Sequence, residues 1–458
     1  MANTYLSWTP SANPTGNAKT FTFSAWLKFS KESPGMIMVA GSSDNSYCLF
    51  GSYSNGKFTL LTYTGYVINF QTPRVFRDLN CWYHVVLACD TTQASATDGV
   101  KLYVNNELQT FSLGSVSGET GYTQNTSLRF GTNGELITIG RNGHADQHYF
   151  DGIMSYVAFV DGQQLTPSTF GETDTTTGEW KIKTTITPGG TGWGTNGFFI
   201  LKDGNSVTDQ SGNGNNFTVA QGTLTKTEDN PSNVFATGNR LNVNAGAVGT
   251  FSNGNNTIKV ANSSGSQFGS SSTLGMTTGK FYCEVKIITV DSTMIGVSPS
   301  PAEDARNSRS PAGAGNTGAV GCLAGSGNKY IADNGTTYGA ATSAGGIMMI
   351  ALDLDNLKVY FGSGGQWSDG SGAWNQSGLI SNAAISLNAV ASTPEGAYFF
   401  CFGDGGGSEK GKVAWNFGNG YFETTAVSSA GTNASGNGIF EYDVPTGYTA
   451  LSTKGLNL

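Results

Sequence analysis

The feature that most constrains this fold is a set of short runs in which apolar and polar residues alternate. In residues 281–287, apolar Phe, Cys, Val and Ile occupy every second position, which is the period of a strand with one buried face. The same alternation predicts strands over 20–29 and 82–90, with Phe21, Phe23, Ala25, Leu27 and Phe29 on one face of the first and Val85, Leu87 and Cys89 on one face of the second. Residues 348–354 and 357–361 are two further runs, separated by Asp355 and Asn356, and this arrangement predicts a β-hairpin. Long stretches of helix-period hydrophobicity are absent, so we expect an all-β protein with many turns.

The composition agrees with this interpretation and excludes several classes of partner. Only 12% of the 458 residues are charged, and 65 are glycine, so hydroxyl and amide groups keep the surface polar. A net charge of -8 without clustered Lys and Arg argues against a nucleic-acid partner. No apolar run reaches the ~18 residues of a membrane span, and the N-terminus lacks the features of a secretion signal.

The positions of the six cysteines in the sequence predict thiols that do not form disulfides. Cys283 and Cys401 fall on apolar strand positions, where a thiol behaves as a small buried hydrophobe. Cys81 and Cys89 are too far apart on one extended run to form a disulfide. This pattern fits synthesis and folding in a reducing cytoplasm.

The N-terminal region contains landmark motifs in a recognisable order. They are Phe-Ser-Ala-Trp-Leu-Lys at 23–28, Trp-Tyr-His-Val at 82–85, Lys-Leu-Tyr-Val-Asn at 101–105, Ile-Gly at 139–140 and Phe-Asp-Gly at 150–152. Asn105 and Asn106 also predict a hairpin turn into Glu107 and Leu108, because asparagine tolerates positive φ. The set resembles the laminin-G-like, concanavalin A-like jelly roll. That resemblance implies two packed antiparallel sheets, with glycan or protein ligands at the rim and calcium in some members.

The C-terminal half carries a second set of motifs. They are Gly-Lys-Phe-Tyr-Cys-Glu-Val at 279–285, Ile-Gly-Val at 295–297, Ala-Leu-Asp-Leu-Asp at 351–355 and Asn-Phe-Gly at 416–418. This order resembles a SPRY domain, which implies an antiparallel sandwich that binds partners through loops and is not an enzyme. We therefore expect two antiparallel β-sandwiches, over 1–183 and 240–458, joined by a packed Gly, Asn and Thr-rich connector over 184–239.

The connector contains the sequence Asp-Gln-Ser-Gly-Asn-Gly-Asn-Asn at 209–216. Its oxygen-bearing side chains leave two interpretations open, a turn and a calcium site. Because only Asp209 carries a charge and calcium sites gather several carboxylates, we favour the turn. No other cofactor is expected.

The order of jelly roll, Asn-rich connector, SPRY-like sandwich and a closing Val-Pro-Thr-Gly-Tyr-Thr-Ala-Leu-Ser-Thr segment at 444–453 resembles large structural proteins of marine bacteriophages. The resemblance implies a virion protein made in the host cytoplasm, with other virion subunits as partners. The chain departs from phage fibres in entering its jelly roll almost at once and in lacking heptads.

One dense polar cluster precedes the Phe-Asp-Gly motif and is a candidate glycan site. It comprises His144, Asp146 and His148, with Arg141 and Tyr149 beside them. A solvated loop is the favoured interpretation, and a zinc site would need a third ligand that the sequence does not identify. If the cluster binds a ligand, a glycan fits best.

Two tryptophans, Trp367 and Trp374, lie in a Gly and Ser-rich stretch that offers little to bury them. Aromatic side chains on loops of a rigid sandwich are candidate anchors for a sugar or for another subunit.

An enzyme is the least favoured interpretation. The sequence lacks the alternating acidic run of retaining glucanases, and Asp353 and Asp355 belong to the predicted hairpin, where we expect a structural role. A Ser-His-Asp triad would have to use His84, His144 or His148. We therefore expect a non-enzymatic tail or fibre adhesin for host surface glycans or another host receptor, oligomeric and trimeric if it forms a fibre. A head-decoration protein that binds other virion subunits is the alternative, and a polysaccharide-degrading enzyme is third.

Overall fold

The chain is described from a computed structural model. The residues described are 3–43, 46–52, 55–62, 68–113, 122–143, 147–202, 204, 206–243, 249–260, 268–290, 292–300, 318–332, 334–404 and 411–457. Within these ranges, no helix is both long enough and apolar enough to cross a membrane.

The described chain divides into two compact units, Met1–Lys226 and Thr227–Leu458. The division lies inside the region 184–239 that the sequence assigns to the connector. Its strands at Phe198–Ile200 and Thr218–Gln221 pair within sheets of the N-terminal unit.

The N-terminal unit is built from short strands, with a helical turn α1 at Ala96–Gly99 and a 3-10 turn at Pro167–Thr169. The strands are β1 (Tyr5–Trp8), β2 (Thr20–Phe29), β3 (Gly35–Ser43), β4 (Ser46–Ser52), β5 (Thr59–Thr62), β6 (Asn69–Gln71), β7 (Trp82–Asp90), β8 (Val100–Val104), β9 (Glu107–Leu108), β10 (Ser112–Leu113), β11 (Ile137–Ile139), β12 (Gly152–Asp161), β13 (Gly171–Thr173), β14 (Trp180–Ile182), β15 (Phe198–Ile200) and β16 (Thr218–Gln221).

These strands form two facing antiparallel sheets and a small hairpin. The larger sheet, as far as it is described, has the order β10-β6-β5-β4-β3-β11-β1-β16, the smaller has the order β15-β12-β2-β7-β8-β9, and β13 pairs with β14. Apolar side chains of both sheets share one core, in which Phe21 and Phe23 of β2 meet Phe50 of β4 and Ile37 of β3. The unit is therefore a β-sandwich.

Strand β2 is buried on both faces. Phe21, Phe23, Ala25, Leu27 and Phe29 lie in the core, as the alternation predicts. The opposite face is also covered, because the chain over 163–199, including the β13–β14 hairpin, folds back over it. The hairpin predicted at Asn105 and Asn106 is confirmed, with φ values of 50° and 68° in the turn between β8 and β9.

The C-terminal unit also consists of strands, with 3-10 turns at Ser381–Ala383, Val390–Ser392 and Gly455–Asn457. The strands are β17 (Gly238–Val243), β18 (Gly249–Ser252), β19 (Thr257–Val260), β20 (Phe268–Ser272), β21 (Lys280–Thr289), β22 (Thr293–Ser298), β23 (Val320–Leu323), β24 (Lys329–Ile331), β25 (Asn334–Thr336), β26 (Ile347–Asp353), β27 (Lys358–Ser363), β28 (Gln366–Ser368), β29 (Trp374–Gln376), β30 (Ile385–Ser386), β31 (Phe399–Asp404), β32 (Lys412–Asn416), β33 (Tyr421–Phe422), β34 (Thr425–Ala426) and β35 (Thr449–Ala450).

The described strands of this unit again form two facing sheets. One has the order β17-β20-β31-β22-β23-β24-β25, and the other has the order β18-β19-β32-β21-β26-β27-β28-β29, with β30 beside β27. The pairs are antiparallel except that β35 runs parallel to β21. The hairpin predicted around Asp355 and Asn356 is confirmed as β26 and β27. Apolar side chains of both sheets form one core, so the all-β, antiparallel fold class is confirmed for this unit as well.

Strand β21 departs from the sequence expectation. Its predicted polar face is buried at Tyr282 and Glu284, because the segment around Phe440, Tyr448 and Ala450 packs over it as a second apolar cluster. The prediction of one buried face was therefore wrong here.

The buried carboxylate of Glu284 fixes this covering segment to the sheet. It accepts hydrogen bonds from the backbone N–H groups of Glu441 at 2.9 Å and Tyr442 at 2.8 Å, from the Tyr282 hydroxyl at 3.0 Å and from the Asn416 amide at 3.3 Å. Burial raises the pKa of Glu284 to about 7, and these four donors oppose the rise.

None of the six cysteines, all of which are described, forms a disulfide, and all but the half-buried Cys81 are buried. Burial raises the pKa of the thiols of Cys48, Cys81, Cys89, Cys283 and Cys322. Cys283 on β21 and Cys401 on β31 act as small core side chains, as the sequence predicts.

Candidate functional site

A cluster of polar and aromatic side chains lies at one end of the larger sheet of the N-terminal unit. Tyr5 begins β1 and Gln221 ends β16, and the two residues are direct partners in the antiparallel ladder. Arg141 follows β11, which pairs with β1 on its other side, and Tyr149 precedes β12. We name these four residues, with His148, the rim cluster.

The rim cluster is held together by stacking and hydrogen bonding. The guanidinium carbon of Arg141 lies 4.0 Å from the centre of the Tyr5 ring, a cation–π distance. The Tyr5 and Tyr149 ring centres are 6.3 Å apart at an angle of 57°. The Tyr149 hydroxyl donates to the side-chain oxygen of Gln221 at 3.3 Å. Tyr5, Arg141 and Tyr149 are each half-buried and His148 is exposed, so the cluster presents aromatic and polar atoms to solvent together.

The backbone under the cluster is fixed on both sides. The Thr138 hydroxyl donates to the carbonyl of Arg141 at 3.0 Å, and the N–H of Met36 donates to the carbonyl of His148 at 2.9 Å. Gly35 has a φ of 111°, and a Cβ there would lie 2.3 Å from the carbonyl oxygen of Tyr149. Only glycine allows this close approach.

Of the sequence-predicted cluster, the structure brings Arg141 and Tyr149 together around Tyr5, and His148 precedes Tyr149 in the chain. His144 and Asp146 lie outside the described residues. Tyr5 and Gln221 were missed, because they are distant in sequence and join the cluster through the pairing of β1 with β11 and β16. The sequence offered no signal for this pairing.

Comparisons with known proteins agree with the fold. Residues 1–169 match the family model Laminin_G_3, described as the concanavalin A-like lectin/glucanases superfamily. The N-terminal unit has a concanavalin A-like sandwich fold. No protein in a search of curated proteins matches the sequence.

The chain is also similar to several solved structures. It covers 96% of the SPRY domain of human HERC1 over 39% of its own length, at 17% identity and a TM-score of 0.29. It covers 90% of a human SPRY domain over 35% of its own length, at 13% identity and a TM-score of 0.26. It covers 72% of a heptameric SAP-like pentraxin from Limulus polyphemus over 36% of its own length, at 14% identity and a TM-score of 0.27.

The tryptophan candidates are placed differently from the expectation. Trp367, on β28, is only 4% exposed and packs edge-on against Tyr282, with ring centres 6.2 Å apart. The premise that little buries this residue was wrong, because the segment over the outer face of β21 encloses it. A ring so enclosed offers no face to a ligand.

Trp374, on β29, is half-buried. Its indole N–H donates to the carbonyl of Ala340 at 2.7 Å, and its six-membered ring lies directly against Gly339, where a Cβ would be 2.1 Å away. The ring therefore covers Gly339 and Tyr338, and only the remainder of it is accessible.

Asp209 of the concanavalin A-like unit organises a turn. Its carboxylate accepts hydrogen bonds from the N–H groups of Phe199, Ser211 and Asn215 and from the Ser211 hydroxyl, at 2.7 to 2.9 Å. These four donors occupy both oxygens, which supports the turn interpretation over calcium. Among the described residues, no group of three or more His, Cys, Asp and Glu side chains could hold a metal ion.

Replacing Asp209 with alanine is expected to lower the free energy of unfolding of this unit by about 2 kcal/mol, because three backbone N–H groups lose their acceptor. Chemical unfolding in the presence of calcium or EDTA tests the alternative. We expect both solutions to give the same midpoint for the wild type, and a calcium-dependent shift that Asp209→Ala abolishes would contradict the turn interpretation.

His84 lies in a buried stack with Ser24, but the arrangement cannot activate the serine. The indole N–H of Trp180 donates to His84 Nδ1 at 2.9 Å, so the neutral ring carries its proton on Nε2 and donates to Ser24 Oγ, also at 2.9 Å. A general base would need Nε2 without a proton. Trp26 stacks on the ring at 4.7 Å, and burial lowers the pKa of His84 to about 3.

Asp353 and Asp355 have structural contacts in the C-terminal unit. Asp353 pairs with Lys280 at 2.9 Å and accepts from the backbone and side-chain N–H groups of Asn356. Asp355 accepts from the N–H of Gly279 at 2.8 Å. These contacts close the β26–β27 hairpin on the start of β21, which agrees with the structural role expected from the sequence.

Proposed function

We propose that the protein is a non-catalytic binding protein that recognises host surface glycans, as a tail or fibre-associated adhesin of a bacteriophage particle. The rim cluster carries this proposal. It combines two half-buried aromatic rings, a guanidinium, an amide and an exposed imidazole at the edge of a concanavalin A-like sandwich.

This combination suits a saccharide. The face of a tyrosine ring can cover the apolar face of a pyranose, while the guanidinium of Arg141 and the amide of Gln221 offer hydrogen bonds to hydroxyl groups. The matching family is described in part as lectins. The ordered backbone beneath the cluster keeps these groups in place before the ligand arrives, which lowers the entropic cost of binding.

The phage setting rests on the sequence. The order of jelly roll, Asn-rich connector, SPRY-like sandwich and closing segment resembles marine bacteriophage structural proteins, so we propose a virion protein made in the host cytoplasm. Other virion subunits would then be partners, and a homo-oligomer, a trimer if it forms a fibre, would raise weak glycan binding through avidity.

Protein displayed at high density on beads is expected to bind an array of host surface glycans and to block adsorption of particles to host cells. Arg141→Met and Tyr149→Ala should each reduce binding about tenfold, since each removes a contact worth on the order of 1 to 2 kcal/mol.

Arg74→Met is the matched control. Arg74 also lies over an aromatic ring, that of Phe76 at 5.3 Å, but it is outside the rim cluster. Equal losses from Arg74→Met and Arg141→Met, or no glycan binding at high valency, would refute the proposal.

A head-decoration protein that binds other virion subunits is the second candidate. Exposed apolar side chains favour it, because Val219 on β16 and Leu241 on β17 lie on strands that end their sheets within the described chain. Terminal strands with exposed apolar side chains are common sites of subunit pairing. Cryo-electron microscopy of the particle separates the two, since an adhesin is expected at the tail or fibres and a decoration protein over the capsid.

A further inference from the structure

A cleft of about 360 Å³ lies in the C-terminal unit, apart from the residues used above for glycan binding. Its walls come from the start of β21 at Lys280, the β26–β27 turn at Asp355, the closing segment at Tyr448 and Thr449, and Leu456 of the last 3-10 turn. This size is near the lower end of the ~300–1,000 Å³ typical of small-molecule sites, so the cleft suits one small ligand.

The cleft disfavours anions. The ammonium of Lys280 is already paired with Asp353 at 2.9 Å. Asp355 is exposed, and its carboxylate accepts one bond, from the N–H of Gly279 at 2.8 Å, within the described part of the chain. With Lys280 neutralised by Asp353, which lies outside the lining, the unpaired charge in the cleft is that of Asp355, whose carboxylate lines it and can accept further hydrogen bonds.

The Tyr448 hydroxyl is a donor in the same lining. The ring of Tyr448 is buried, and its hydroxyl has no hydrogen-bond partner among the residues that are described. Burial and the nearby Asp353 raise the pKa of Tyr448, so the hydroxyl keeps its proton. Leu456, 38% exposed, supplies an apolar surface.

We infer that this cleft is a second ligand site, independent of the rim cluster, for a single neutral sugar residue. A sugar hydroxyl both donates and accepts, so it can satisfy Asp355 and Tyr448 together. An ammonium group has no acceptor and would leave the proton of the Tyr448 hydroxyl without an acceptor. A carboxylate or sulfate would meet Asp355 with like charge.

Saturation-transfer NMR on the full chain tests the inference with methyl glycosides of glucose, galactose and mannose. We expect at least one of them to receive saturation from the protein through the cleft, and any saturation of glucuronic acid to be unchanged by Asp355→Asn. Asp355→Asn and Tyr448→Phe are each expected to weaken binding of that glycoside about tenfold, because each removes a hydrogen bond while keeping the shape of the side chain. Asp355→Asn should fold, because its new amide oxygen can still accept from the N–H of Gly279, and Tyr448→Phe should fold because it keeps the ring. Circular dichroism of both variants checks this.

Glu423→Gln is the control, because this carboxylate pairs with Lys412 in the same unit and does not line the cleft. It should leave the signal unchanged. Tyr149→Ala should leave the part of the signal that Asp355→Asn removes unchanged, which separates this site from the rim cluster. A signal lost only in Tyr149→Ala would overturn the cleft site while supporting the proposed function, and saturation of none of the neutral glycosides would overturn it outright.

Discussion

Acidification from pH 6.5 to about 3 is expected to remove about 5 kcal/mol from the free energy of unfolding of the concanavalin A-like unit through His84 alone. Burial lowers the pKa of His84 from 6.5 to about 3. Over this range the unfolded chain binds a proton and the folded chain does not, so stability falls as the pH falls. The hydrogen bonds agree, because a proton on Nδ1 would face the indole N–H of Trp180.

Native-state hydrogen exchange, followed by mass spectrometry of peptides from β7 and β2, measures this dependence in the full chain. His84→Gln should flatten it, since the amide supplies one acceptor and one donor without titrating. Ser24→Ala should lower stability at every pH and keep the slope, because His84 remains. A slope that survives His84→Gln would show that another group is responsible.

Glu284 is expected to give the C-terminal unit the opposite pH dependence. Burial raises the pKa of this carboxyl from 4.5 to about 7. Between these values the folded chain keeps the proton that the unfolded chain has lost, so the contribution of Glu284 to stability is greatest below about pH 4.5 and falls by about 3 kcal/mol as the pH rises to 7.

Hydrogen exchange of peptides from β21 and from residues 439–442 measures this effect, since Glu284 joins the two segments. Glu284→Gln should remove the slope. Glu441→Gln is the matched control, because its side chain bonds to Ser428 at an exposed position and leaves the Glu284 contacts in place. Stability that is flat in the wild type between pH 4.5 and 7 would contradict the prediction.

Because the two units depend on pH in opposite directions, no single pH gives both units their greatest stability. Acid weakens the N-terminal unit through His84 and strengthens the C-terminal unit through Glu284. Peptides of the two units are therefore expected to respond in opposite directions to the same change of pH, a pattern that a uniform loss of net charge would not produce.

The candidate site was only partly predictable. Arg141, His148 and Tyr149 are near in sequence, so a local motif found them, whereas Tyr5 and Gln221 join them only through strand pairing. Trp367 is a residue that the sequence proposed for the site and the structure removes from it. Its Gly and Ser-rich surroundings indicate exposure, yet a distant segment around Phe440 and Tyr448 covers it.

The sequence by itself determined the local elements. Apolar alternation placed β2, β7, β21 and the β26–β27 hairpin, and Asn105 and Asn106 set a turn, because strand period and positive φ depend on neighbouring residues. Only the tertiary structure decided which polar faces are buried. His84 and Glu284 stand at positions that alternation assigns to the side away from the core, and each is enclosed by chain roughly 100 to 160 residues later. Such coverage depends on long-range packing, which no local pattern encodes.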